Sequence, residues 1–566
     1  MQTRFIMVTG GVISGVGKGV TTASLGRILK EYGYKTTLIK IDPYVNYDAG
    51  TLRPTEHGEV WVTDDGGEID QDLGTYERFL NENLSKRNNI TTGQIYKAVI
   101  DRERAGGYLG QTVQFIPHIT DEIKNRILQV SNGYDIAIIE LGGTVGDYEN
   151  IPYLFAFKSL EREFGADYTA SVLVTYLPVP GHIGEMKTKP TQQAIRLLGQ
   201  EGILPDFIIC RSKKPLDKER KKKIEAFANI VSEHIIAAPD LDTIYRMPLY
   251  LEEQDIGKKL LKHLSLPLRK QPDWSGWKQL VEVIEKPKKH IKVGVVGKYV
   301  SIGDYCIADS YLSIYQALMH AGAQARMGVD ITWIDAQNSE NNNQGLNQLD
   351  EFDGIIIPGG FGSSGVEGKI NTIRYAREHN IPIIGLCYGM QLMVVEWARN
   401  MCGMPDANTT EIDAKTPYPI IDILPTQKVI LKDSQYGGTM RLGAYKADIK
   451  RESVVYDLYK RKTISERHRH RYEVNPKYID ILEEKGILFS GQHVRADGTK
   501  LMEFIELSPT VHPFFVATQA HPEFNSRLGA PSPLFYGFVK ACYDKKNHNF
   551  SIARVHGIAK KECVLF

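Results

Sequence analysis

The segment Ile381-Pro-Ile-Ile-Gly-Leu-Cys387-Tyr-Gly389 is an apolar run that ends in a G-x-C-x-G pattern. The run predicts a buried strand, and residues 390–399 predict a helix directly after it. The flanking glycines permit a sharp turn between the two, as in the nucleophile elbow that carries a serine in other enzymes. The helix amino terminus then faces the sulfur and favours its thiolate form. The segment therefore predicts an α/β fold with a reactive cysteine at the end of a strand.

Two further motifs follow predicted strands in the same half of the chain. His521-Pro-Glu523 comes after a strand at 514–518 and offers an imidazole with a carboxylate to orient it. Residues 358–362, Pro-Gly-Gly-Phe-Gly, can present backbone N–H groups to an oxyanion. Each motif alone is usually structural, because a cysteine after an apolar strand is most often a small buried side chain. Their joint occurrence at three strand ends instead predicts a catalytic site.

Composition limits the class of protein. The chain has 566 residues, of which 42% are hydrophobic and 24% charged, as in soluble proteins of several domains. The net charge of +1 argues against nucleic-acid binding, which needs a cationic surplus. The six cysteines include no C-x-x-C pair, which fits a reducing cytoplasm. We see no signal peptide and no apolar run of transmembrane length, so we expect a cytoplasmic protein with no membrane partner.

Apolar strands alternate with helices in both halves of the chain, which indicates two doubly wound, largely parallel α/β domains. Strands are predicted at residues 5–9, 36–41, 135–140, 170–175, 207–210, 291–296, 353–357 and 381–386, and helices at 18–32 and 309–321. A polar stretch with prolines separates the halves. The predicted organisation is a first domain at 1–269, a linker at 270–290, a second domain at 291–545 and a tail at 546–566.

A glycine-rich loop, Gly10-Gly-Val-Ile-Ser-Gly-Val-Gly-Lys18-Gly19, joins the first strand to the first helix. Its N–H groups can cradle phosphate, and the lysine can reach a β- or γ-phosphate. The loop departs from the G-x-x-x-x-G-K-[ST] pattern twice, since Val12 replaces its first glycine and Gly19 replaces the hydroxyl that holds magnesium. A glycine-rich turn without a ligand is the alternative interpretation, but the first domain is predicted to be P-loop-like.

Carboxylates are therefore expected to hold the magnesium ion. Glu140 ends an apolar strand, and Asp72 lies in the segment Ile-Asp-Gln-Asp-Leu-Gly at 69–74. Hard oxygen ligands of this kind suit Mg²⁺ bound to phosphates. Each carboxylate alone is more often a helix cap or a solvated charge.

A second phosphate-binding segment is predicted at residues 187–192. It packs two lysines and two threonines into six residues and can contact several phosphates. The alternative interpretation is a solvated helix start with Pro190 in its first turn.

Several segments together resemble the CTP synthase family, whose second half is a class I glutamine amidotransferase. They include Val8-Thr-Gly-Gly-Val-Ile-Ser-Gly15, Lys40-Ile-Asp-Pro-Tyr44, His57-Gly-Glu-Val60, Gln114-Phe-Ile-Pro-His-Ile-Thr120, Glu140-Leu-Gly-Gly-Thr-Val-Gly-Asp147, Gly437-Gly-Thr-Met-Arg-Leu-Gly443 and Glu466-Arg-His-Arg-His-Arg-Tyr-Glu473. The resemblance covers both halves. It implies an amidoligase half that aminates UTP and an amidotransferase half that supplies ammonia from L-glutamine.

The resemblance also implies residue roles. In the amidotransferase half, Cys387 is the nucleophile, His521 the base and Glu523 its orienting partner, with glutamine held by Gly360, Tyr388, Gly389, Met390, Gln391, Glu411 and Arg471. ATP is assigned to Gly15, Val16, Gly17, Lys18, Gly19, Val20, Lys40 and Asp72, with Mg²⁺ on Asp72 and Glu140. UTP or the inhibitor CTP is assigned to Ser14, Asp147, Tyr148, Glu149, Lys187, Thr188, Lys189, Pro190, Thr191, Gln192 and Lys223.

By the same resemblance ATP phosphorylates O4 of UTP, ammonia then displaces the phosphate, and the ammonia passes through the protein beside His57. GTP is implied as an activator, CTP as a product inhibitor, and a homotetramer that assembles into filaments as the oligomeric form. Two departures from the family pattern stand out. Tyr388 follows the nucleophile where leucine is usual, and Ser364 stands where arginine is common, which bears on the GTP response.

Other interpretations remain open at the level of the sequence. One is a different glutamine-dependent amidoligase, such as one that amidates a corrin carboxylate, although such an enzyme has no need of the 187–192 cluster. Another is a non-catalytic filament scaffold, against which the intact catalytic residues argue. The terminal Cys563-Val-Leu-Phe566 has the C-a-a-X form of a prenylation signal, but the resemblance gives it no support.

Overall fold

The computed structural model of the protein describes residues 2–52, 58–182, 184–297, 301–302, 305–306, 308–340, 346–423 and 440–547. The chain forms two compact units. Unit 1 comprises Met1–Ala49 and Ile69–Val281, and unit 2 comprises Gly50–Glu68 and Glu282–Phe566. Residues 50–68 thus cluster with unit 2, although they lie within the first predicted domain. The predictions at His57, at residues 437–439 and at Cys563 in the tail fall outside the described residues.

Unit 1 is built on a seven-stranded sheet whose neighbouring strands are all parallel. Its strands are β1 (Arg4–Gly10), β2 (Thr36–Asp42), β3 (Asn89–Thr91), β4 (Ile136–Leu141), β5 (Thr169–Tyr176), β6 (Phe207–Ser212) and β7 (Ile235–Pro239), in the order β3-β2-β4-β1-β5-β6-β7. Every residue of β1 and β2 is buried, as expected for strands of a parallel sheet. The apolar strands predicted for this half are confirmed.

Helices connect these strands. They are α1 (Lys18–Glu31), α2 (Asp72–Leu80), α3 (Thr92–Arg104), α4 (Thr120–Ser131), α5 (Ile151–Phe164), α6 (Lys189–Gln200), α7 (Lys218–Ala228), α8 (Met247–Glu252) and α9 (Ile256–His263). Helix α1 begins directly after the glycine-rich loop, so the loop connects the end of the central strand β1 to a helix amino terminus.

The stretch predicted as a linker contains a helix, α10 (Ser275–Glu285). Trp277 and Val281 on this helix are buried. The indole N–H of Trp277 donates to the backbone oxygen of Tyr245 at 2.7 Å. The first turns of the helix therefore pack on unit 1, in a stretch whose prolines and charges gave no sign of an ordered element.

Unit 2 contains a nine-stranded sheet. Its strands are β8 (His290–Gly297), β9 (Gly328–Asp335), β10 (Gly354–Ile357), β11 (Ile383–Leu386), β12 (Arg441–Ile449), β13 (Thr463–His470), β14 (Leu488–Val494), β15 (Lys500–Glu506) and β16 (Phe515–Thr518), in the order β9-β8-β10-β11-β16-β15-β14-β12-β13. Its helices are α11 (Leu312–Gln324), α12 (Val366–Glu378), α13 (Tyr388–Met401), α14 (Val454–Tyr459), α15 (Ile479–Glu484) and α16 (Pro533–Lys546).

The two ends of this sheet differ in strand direction. The five strands from β9 to β16 are parallel, which confirms the predicted α/β class. The remaining strands β15, β14, β12 and β13 extend the sheet in antiparallel fashion and were not predicted. Strand β13 reads TISERHRH, so its charged residues conceal a strand in which most residues are buried.

Smaller sheets accompany the two large ones, and in one of them Ser301–Ile302 pairs with Tyr305–Cys306. Ala407–Thr409, Tyr418–Ile423 and Tyr472–Val474 form a three-stranded sheet, and Trp61–Val62 pairs with Glu68–Ile69. Among the described residues, no helix combines the length and the hydropathy that crossing a membrane requires.

Candidate active sites

Cys387 stands between strand β11 and helix α13, at the turn that the G-x-C-x-G pattern predicts. Its torsion angles are φ 50° and ψ −103°, a strained combination for a residue with a side chain. Its N–H donates to the carbonyl oxygen of Thr518 at 2.7 Å. A Cβ atom at Gly389 would overlap the carbonyl group of Ile357, so glycine is required where the helix begins against strand β10. The elbow thus fixes the cysteine at the end of the parallel strands.

His521 and Glu523 lie in the turn after strand β16. Nδ1 of His521 is 2.7 Å from Oε1 of Glu523, so the carboxylate orients the imidazole. Burial lowers the pKa of His521, but the charges of Glu523 and Cys387 outweigh burial and hold this pKa well above its usual range. The imidazole is therefore held as a cation beside the sulfur, which is the arrangement expected of a cysteine nucleophile with its base.

The glycine turn at 358–362 closes over this pair. A Cβ atom at Gly359 would lie 3.1 Å from Cε1 of His521 and 3.7 Å from Cβ of Cys387, so the turn contacts both side chains. The N–H of Gly362 donates to Oε1 of Glu411 at 2.7 Å. The hydroxyl of Tyr388 donates to the carbonyl oxygen of Gly362 at 3.0 Å. Glu411 and Tyr388, which are both predicted to hold glutamine, therefore fix the position of the glycine turn.

A cavity of about 100 Å³ opens at the sulfur. It is lined by Glu59, Val60, Ser310, Tyr311, Ile314, Gly359, Gly360, Phe361, Cys387, Arg469, His521, Glu523 and Phe524. The predicted catalytic residues and Gly360 therefore share one cavity. Its size and its open side suit a small substrate that enters from the surface.

The other residues predicted to hold glutamine lie around the elbow. The amide nitrogen of Gln391 donates to the backbone oxygen of Tyr472 at 2.9 Å and to Oε1 of Gln519 at 3.3 Å. Arg471 is half-buried directly after strand β13, and Met390 is buried in the core of unit 2. Met390 is thus placed by packing, and a contact with glutamine could only come from its backbone.

The structure adds residues that the sequence analysis missed. The amide nitrogen of Gln519 is 3.7 Å from Sγ of Cys387, and Sγ in turn is 3.8 Å from the carbonyl oxygen of Arg469. Glu59 and Val60 reach the same cavity from the first half of the sequence. Gln519 lies two residues before His521 and has no motif to mark it, whereas Glu59 and Val60 belong to the segment His57-Gly-Glu-Val60, in which the sequence analysis gives a role to His57 alone.

In unit 1 the phosphate loop folds around Lys18. Nζ of Lys18 donates to the carbonyl oxygen of Gly143 at 2.6 Å. Gly15 and Gly17 have φ angles of 72° and 92°, and Val12 has a φ of 82°, so the loop needs glycine at two of its left-handed positions and tolerates valine at a third. No side chain caps helix α1, whose N-cap is Gly17. Its first N–H groups can therefore bind an anion.

The two predicted metal carboxylates converge on Lys40. Nζ of Lys40 bonds to Oδ2 of Asp72, is 3.1 Å from Oε1 of Glu140 and is 3.7 Å from Oδ1 of Asp42. Burial lowers the pKa of Lys40, but the three carboxylates outweigh burial and hold it well above its usual range. Burial also raises the pKa of Glu140, with the charge of Asp72 adding to the effect. The site therefore favours additional positive charge.

These carboxylates fit a magnesium ion that also binds phosphate. A Cβ atom at Gly19 would overlap the carboxylate of Asp72, so the carboxylate occupies the space of the hydroxyl that a P-loop normally places there. Among the described residues, no group of three or more His, Cys, Asp or Glu side chains could hold a metal alone. Phosphate and water oxygens would have to complete the coordination of Mg²⁺.

The predicted UTP residues occupy several loops of unit 1. Oδ2 of Asp147 accepts from the N–H of Thr144 at 2.7 Å, and Tyr148 beside it is 83% exposed. Ser14 is exposed at the tip of the phosphate loop, and Glu149 is half-buried.

Within the 187–192 segment the side chains differ in direction. Nζ of Lys187 bonds to Glu185 at 2.7 Å, and Glu185 also contacts Arg220 of helix α7 at 2.8 Å. The segment therefore lies near helix α7, which also carries the exposed Lys223. Thr191 is fully buried, and its hydroxyl bonds to that of Thr175 at 3.0 Å. Its side chain thus faces the sheet, while the remaining residues, Thr188, Lys189, Pro190 and Gln192, are half-buried or exposed.

Comparisons with known proteins agree across both units. Residues 4–266 match the family model described as CTP synthase N-terminus, and residues 306–541 match that of glutamine amidotransferase class-I. The chain is 51% identical over 545 residues to the CTP synthase of Pyrococcus abyssi, and the alignment covers 96% of this chain and 99% of that one. It is 50% identical over 548 residues to the CTP synthase of Methanocaldococcus jannaschii, with the same shares covered.

Among solved structures, the glutaminase domain of a Trypanosoma brucei CTP synthase with bound acivicin matches with a TM-score of 0.41. It is 33% identical, and the match covers 45% of this chain and 94% of that domain.

Proposed function

The chain belongs to the CTP synthase family, a family of glutamine-dependent ligases, and we propose that it converts UTP to CTP with ammonia from L-glutamine and with consumption of ATP. The strongest support is that one chain carries both halves of this chemistry. A cysteine elbow with an oriented histidine stands in unit 2, and a phosphate loop with converging carboxylates stands in unit 1.

In unit 2, Cys387 attacks the side-chain amide carbon of glutamine. His521 transfers a proton to the leaving nitrogen, which departs as ammonia and leaves a thioester on Cys387. Water then releases glutamate. The turn at Gly359 and Gly360 lines the cavity at the sulfur, so we assign its N–H groups to the developing oxyanion. Gln391, Glu411 and Arg471 surround the elbow and are assigned to the amino-acid end of glutamine.

In unit 1, the γ-phosphoryl group of ATP is transferred to O4 of UTP, which turns a poor leaving group into phosphate. Ammonia forms a bond to C4, and the C4–O4 bond breaks with release of phosphate. The loop from Gly15 to Val20 binds the phosphates of ATP, where Lys18 neutralises charge. The lowered pKa of Lys18, which burial causes, fits a side chain kept from water until an anion arrives.

Magnesium is the metal we propose, held by Asp72 and Glu140 together with phosphate oxygens. When bound, it would neutralise negative charge on the transferring phosphoryl group. Lys40 presents a cation to both carboxylates. It keeps the two carboxylates together and can itself contact a phosphate.

UTP is assigned to Ser14, the 187–192 segment and Lys223, and product CTP to Asp147, Tyr148 and Glu149. Lysines and hydroxyls in the 187–192 segment suit the triphosphate. Because Thr191 is buried against Thr175, its role in this site is to position the segment.

Ammonia is mostly protonated in neutral water and is then not nucleophilic. We therefore propose that it moves inside the protein from Cys387 to UTP, and that GTP stimulates its release.

Ser364, where arginine is common in the family, bonds to the amide of Gln337 at 2.7 Å. The response to GTP is the property in which this chain is most expected to differ from its relatives.

A cytoplasmic location and a homotetramer that forms filaments are proposed by family resemblance. Cys210, Cys387, Cys402 and Cys542 are free thiols, which fits a reducing compartment. Sedimentation with UTP and ATP, followed by electron microscopy, tests the assembly.

The function is tested by incubating the protein with UTP, ATP, Mg²⁺ and glutamine and measuring CTP, ADP and glutamate. We expect the three products in equal amounts. Glutamate and ADP without CTP would contradict the proposal and point to another amidated substrate. With UTP labelled by ¹⁸O at O4, the label should appear in the released phosphate, and label released as water would exclude the phosphorylated intermediate.

A further inference from the structure

Residues 58–68, called here the 58–68 segment, belong to the first half of the sequence but pack on unit 2. Three of its carboxylates hold it there. Glu59 accepts from the N–H of Ser313 at 2.9 Å, near the start of helix α11. Asp64 bonds to Nε of Arg467 at 2.6 Å, and Glu68 bonds to Nε of Arg469 at 2.8 Å. The last two contacts fix the segment along strand β13.

Trp61 is the largest buried side chain of this segment, with 1% of its surface exposed. Its ring is 4.9 Å from the ring of Phe524, measured between centroids. Phe524 in turn lies nearly parallel to the imidazole of His521, with centroids 5.1 Å apart and 15° between the planes. Trp61, Phe524 and His521 therefore form one continuous row of ring contacts, in which Trp61 is tilted by 51° against Phe524 and Phe524 is stacked on the imidazole.

The backbone around His521 is fixed from the same side. The N–H of His521 donates to the carbonyl oxygen of Arg467 at 2.8 Å. The guanidinium group of Arg467 is itself 5.2 Å from the ring centroid of Trp61 and carries the ion pair with Asp64. Asn525, in the same turn, donates to Glu466 at 2.7 Å. The 58–68 segment thus contacts Phe524, whose ring stacks on His521, and Arg467, whose carbonyl oxygen binds the backbone N–H of His521.

A hydrogen bond at Nδ1 does not by itself set the tilt of an imidazole plane, which also depends on the residues that pack against the faces of the ring. Glu523 fixes the edge of the imidazole, but its plane must also be fixed if Nε2 is to point at the sulfur. Phe524 supplies a flat surface for that plane, and Trp61 prevents Phe524 from moving away.

From these contacts we propose that the 58–68 segment is a working part of the glutaminase site, and that Trp61 is a positioning residue for His521. This inference rests on the proposed roles of Cys387 and His521. It means that the first half of the sequence supplies a structural component of glutamine hydrolysis, carried on residues that belong to unit 2 although they lie between Ala49 and Ile69 in the chain.

The test compares Trp61→Leu and Trp61→Phe in the full chain. Trp61→Leu should lower kcat for glutamine hydrolysis by about 10- to 100-fold, since small displacements of reacting groups cost this much. KM for glutamine should change little, because Gln391, Glu411 and Arg471 are carried by other elements. Trp61→Phe should retain most of kcat because it keeps an aromatic ring against Phe524. CTP formation from ammonium should be unaffected in both variants.

Trp277→Leu is the matched control, because it removes a buried tryptophan from helix α10 with no contact to His521. It should lower thermal stability and leave kcat for glutamine hydrolysis unchanged. A Trp61→Leu enzyme with the kcat of the wild type overturns the inference and leaves the proposed function intact. Absence of glutamine hydrolysis in the wild type would overturn the proposed function, and the inference with it.

A second variant covers the case in which Trp61→Leu does not fold. Asp64→Asn weakens the contact with Arg467, so kcat should fall while KM stays near that of the wild type. Asp497→Asn is its control, because the carboxylate of Asp497 accepts a bond from the N–H of Thr499 in an exposed turn. Equal kcat values for Asp64→Asn and the control would overturn the inference.

Discussion

The hydroxyl of Tyr388, the residue directly after the nucleophile, donates to the carbonyl oxygen of Gly362 at 3.0 Å. The bond joins the cysteine elbow to the glycine turn that closes over His521. A side-chain hydroxyl thus links the elbow to the turn that lines the cavity at the sulfur.

Tyr388→Phe removes that hydrogen bond and should lower kcat/KM for glutamine hydrolysis about fivefold, which is the effect of losing a bond worth about 1 kcal/mol. CTP formation from ammonium should not change. Tyr375→Phe is the control, because Tyr375 donates a bond of equal length to Asp350 on the surface of unit 2. If both variants hydrolyse glutamine at the wild-type rate, the link has no part in catalysis.

Gly19→Ala should disable the amidoligase half. The added Cβ would overlap the carboxylate of Asp72 and displace it from Lys40. We expect ATP-dependent CTP formation from ammonium to fall at least about tenfold, since the groups around the phosphates would be misplaced. Glutamine hydrolysis should persist.

Gly276→Ala is the control for this substitution. A Cβ atom at Gly276 meets no atom within 4 Å, and the residue lies in helix α10. The change should leave activity unchanged and slightly raise stability. If Gly19→Ala forms CTP from ammonium at the rate of the wild type, the observed position of Asp72 is not required for CTP formation.

Gly443→Ala should loosen the 58–68 segment. Gly443 has a φ of 95°, and a Cβ atom there would lie 2.7 Å from the carbonyl oxygen of Asp64. Gly498→Ala carries the same backbone strain at a φ of 83° but meets no atom within 4 Å. The rate of glutamine hydrolysis should therefore fall in Gly443→Ala and stay unchanged in Gly498→Ala. Equal rates in the two variants would show that the backbone contact between Gly443 and Asp64 is not needed for glutamine hydrolysis.

Acid should destabilise unit 2 through buried neutral histidines. Burial lowers the pKa of His512 from 6.5 to about 4, and its two ring nitrogens are bonded to backbone groups of Ala376 and Phe514. Between these pH values the unfolded chain binds a proton that the folded chain excludes, so stability is lost as the pH falls from 6.5 towards 4.

The measurement is the thermal unfolding temperature across that range. His512→Gln should have a lower unfolding temperature than the wild type at neutral pH, and its unfolding temperature should decline less steeply towards pH 4. An identical slope in both proteins would mean that His512 does not titrate as its burial requires.

The parallel strands could be predicted because burial on both faces leaves a readable apolar run. Strands β1 and β11 and the elbow at Cys387 follow directly from such runs. Strand β13 could not be recognised, because its polar side chains are buried against distant partners: Arg467 forms an ion pair with Asp64, and His468 contacts Glu503. A charged residue in a sequence is predicted to be exposed, because the partners that would allow its burial cannot be read from the sequence.

The site was predictable where residues share one motif, and unpredictable where they meet through the fold. The pairing of His521 with Glu523 is a local contact and was predicted. The position of Asp72 against Gly19 depends on how helix α2 packs, and the contact of Trp61 with Phe524 joins residues far apart in the chain. Periodicity and spacing do not encode such contacts.

The measurement that tests the two-site mechanism most directly uses Cys387→Ala with UTP, ATP and Mg²⁺, supplied either with glutamine or with ammonium. We expect no CTP from glutamine and a rate close to that of the wild type from ammonium, because only the source of ammonia has been removed. CTP formation from glutamine by the variant would contradict the assignment of Cys387, and failure with ammonium would contradict the separation of the two sites.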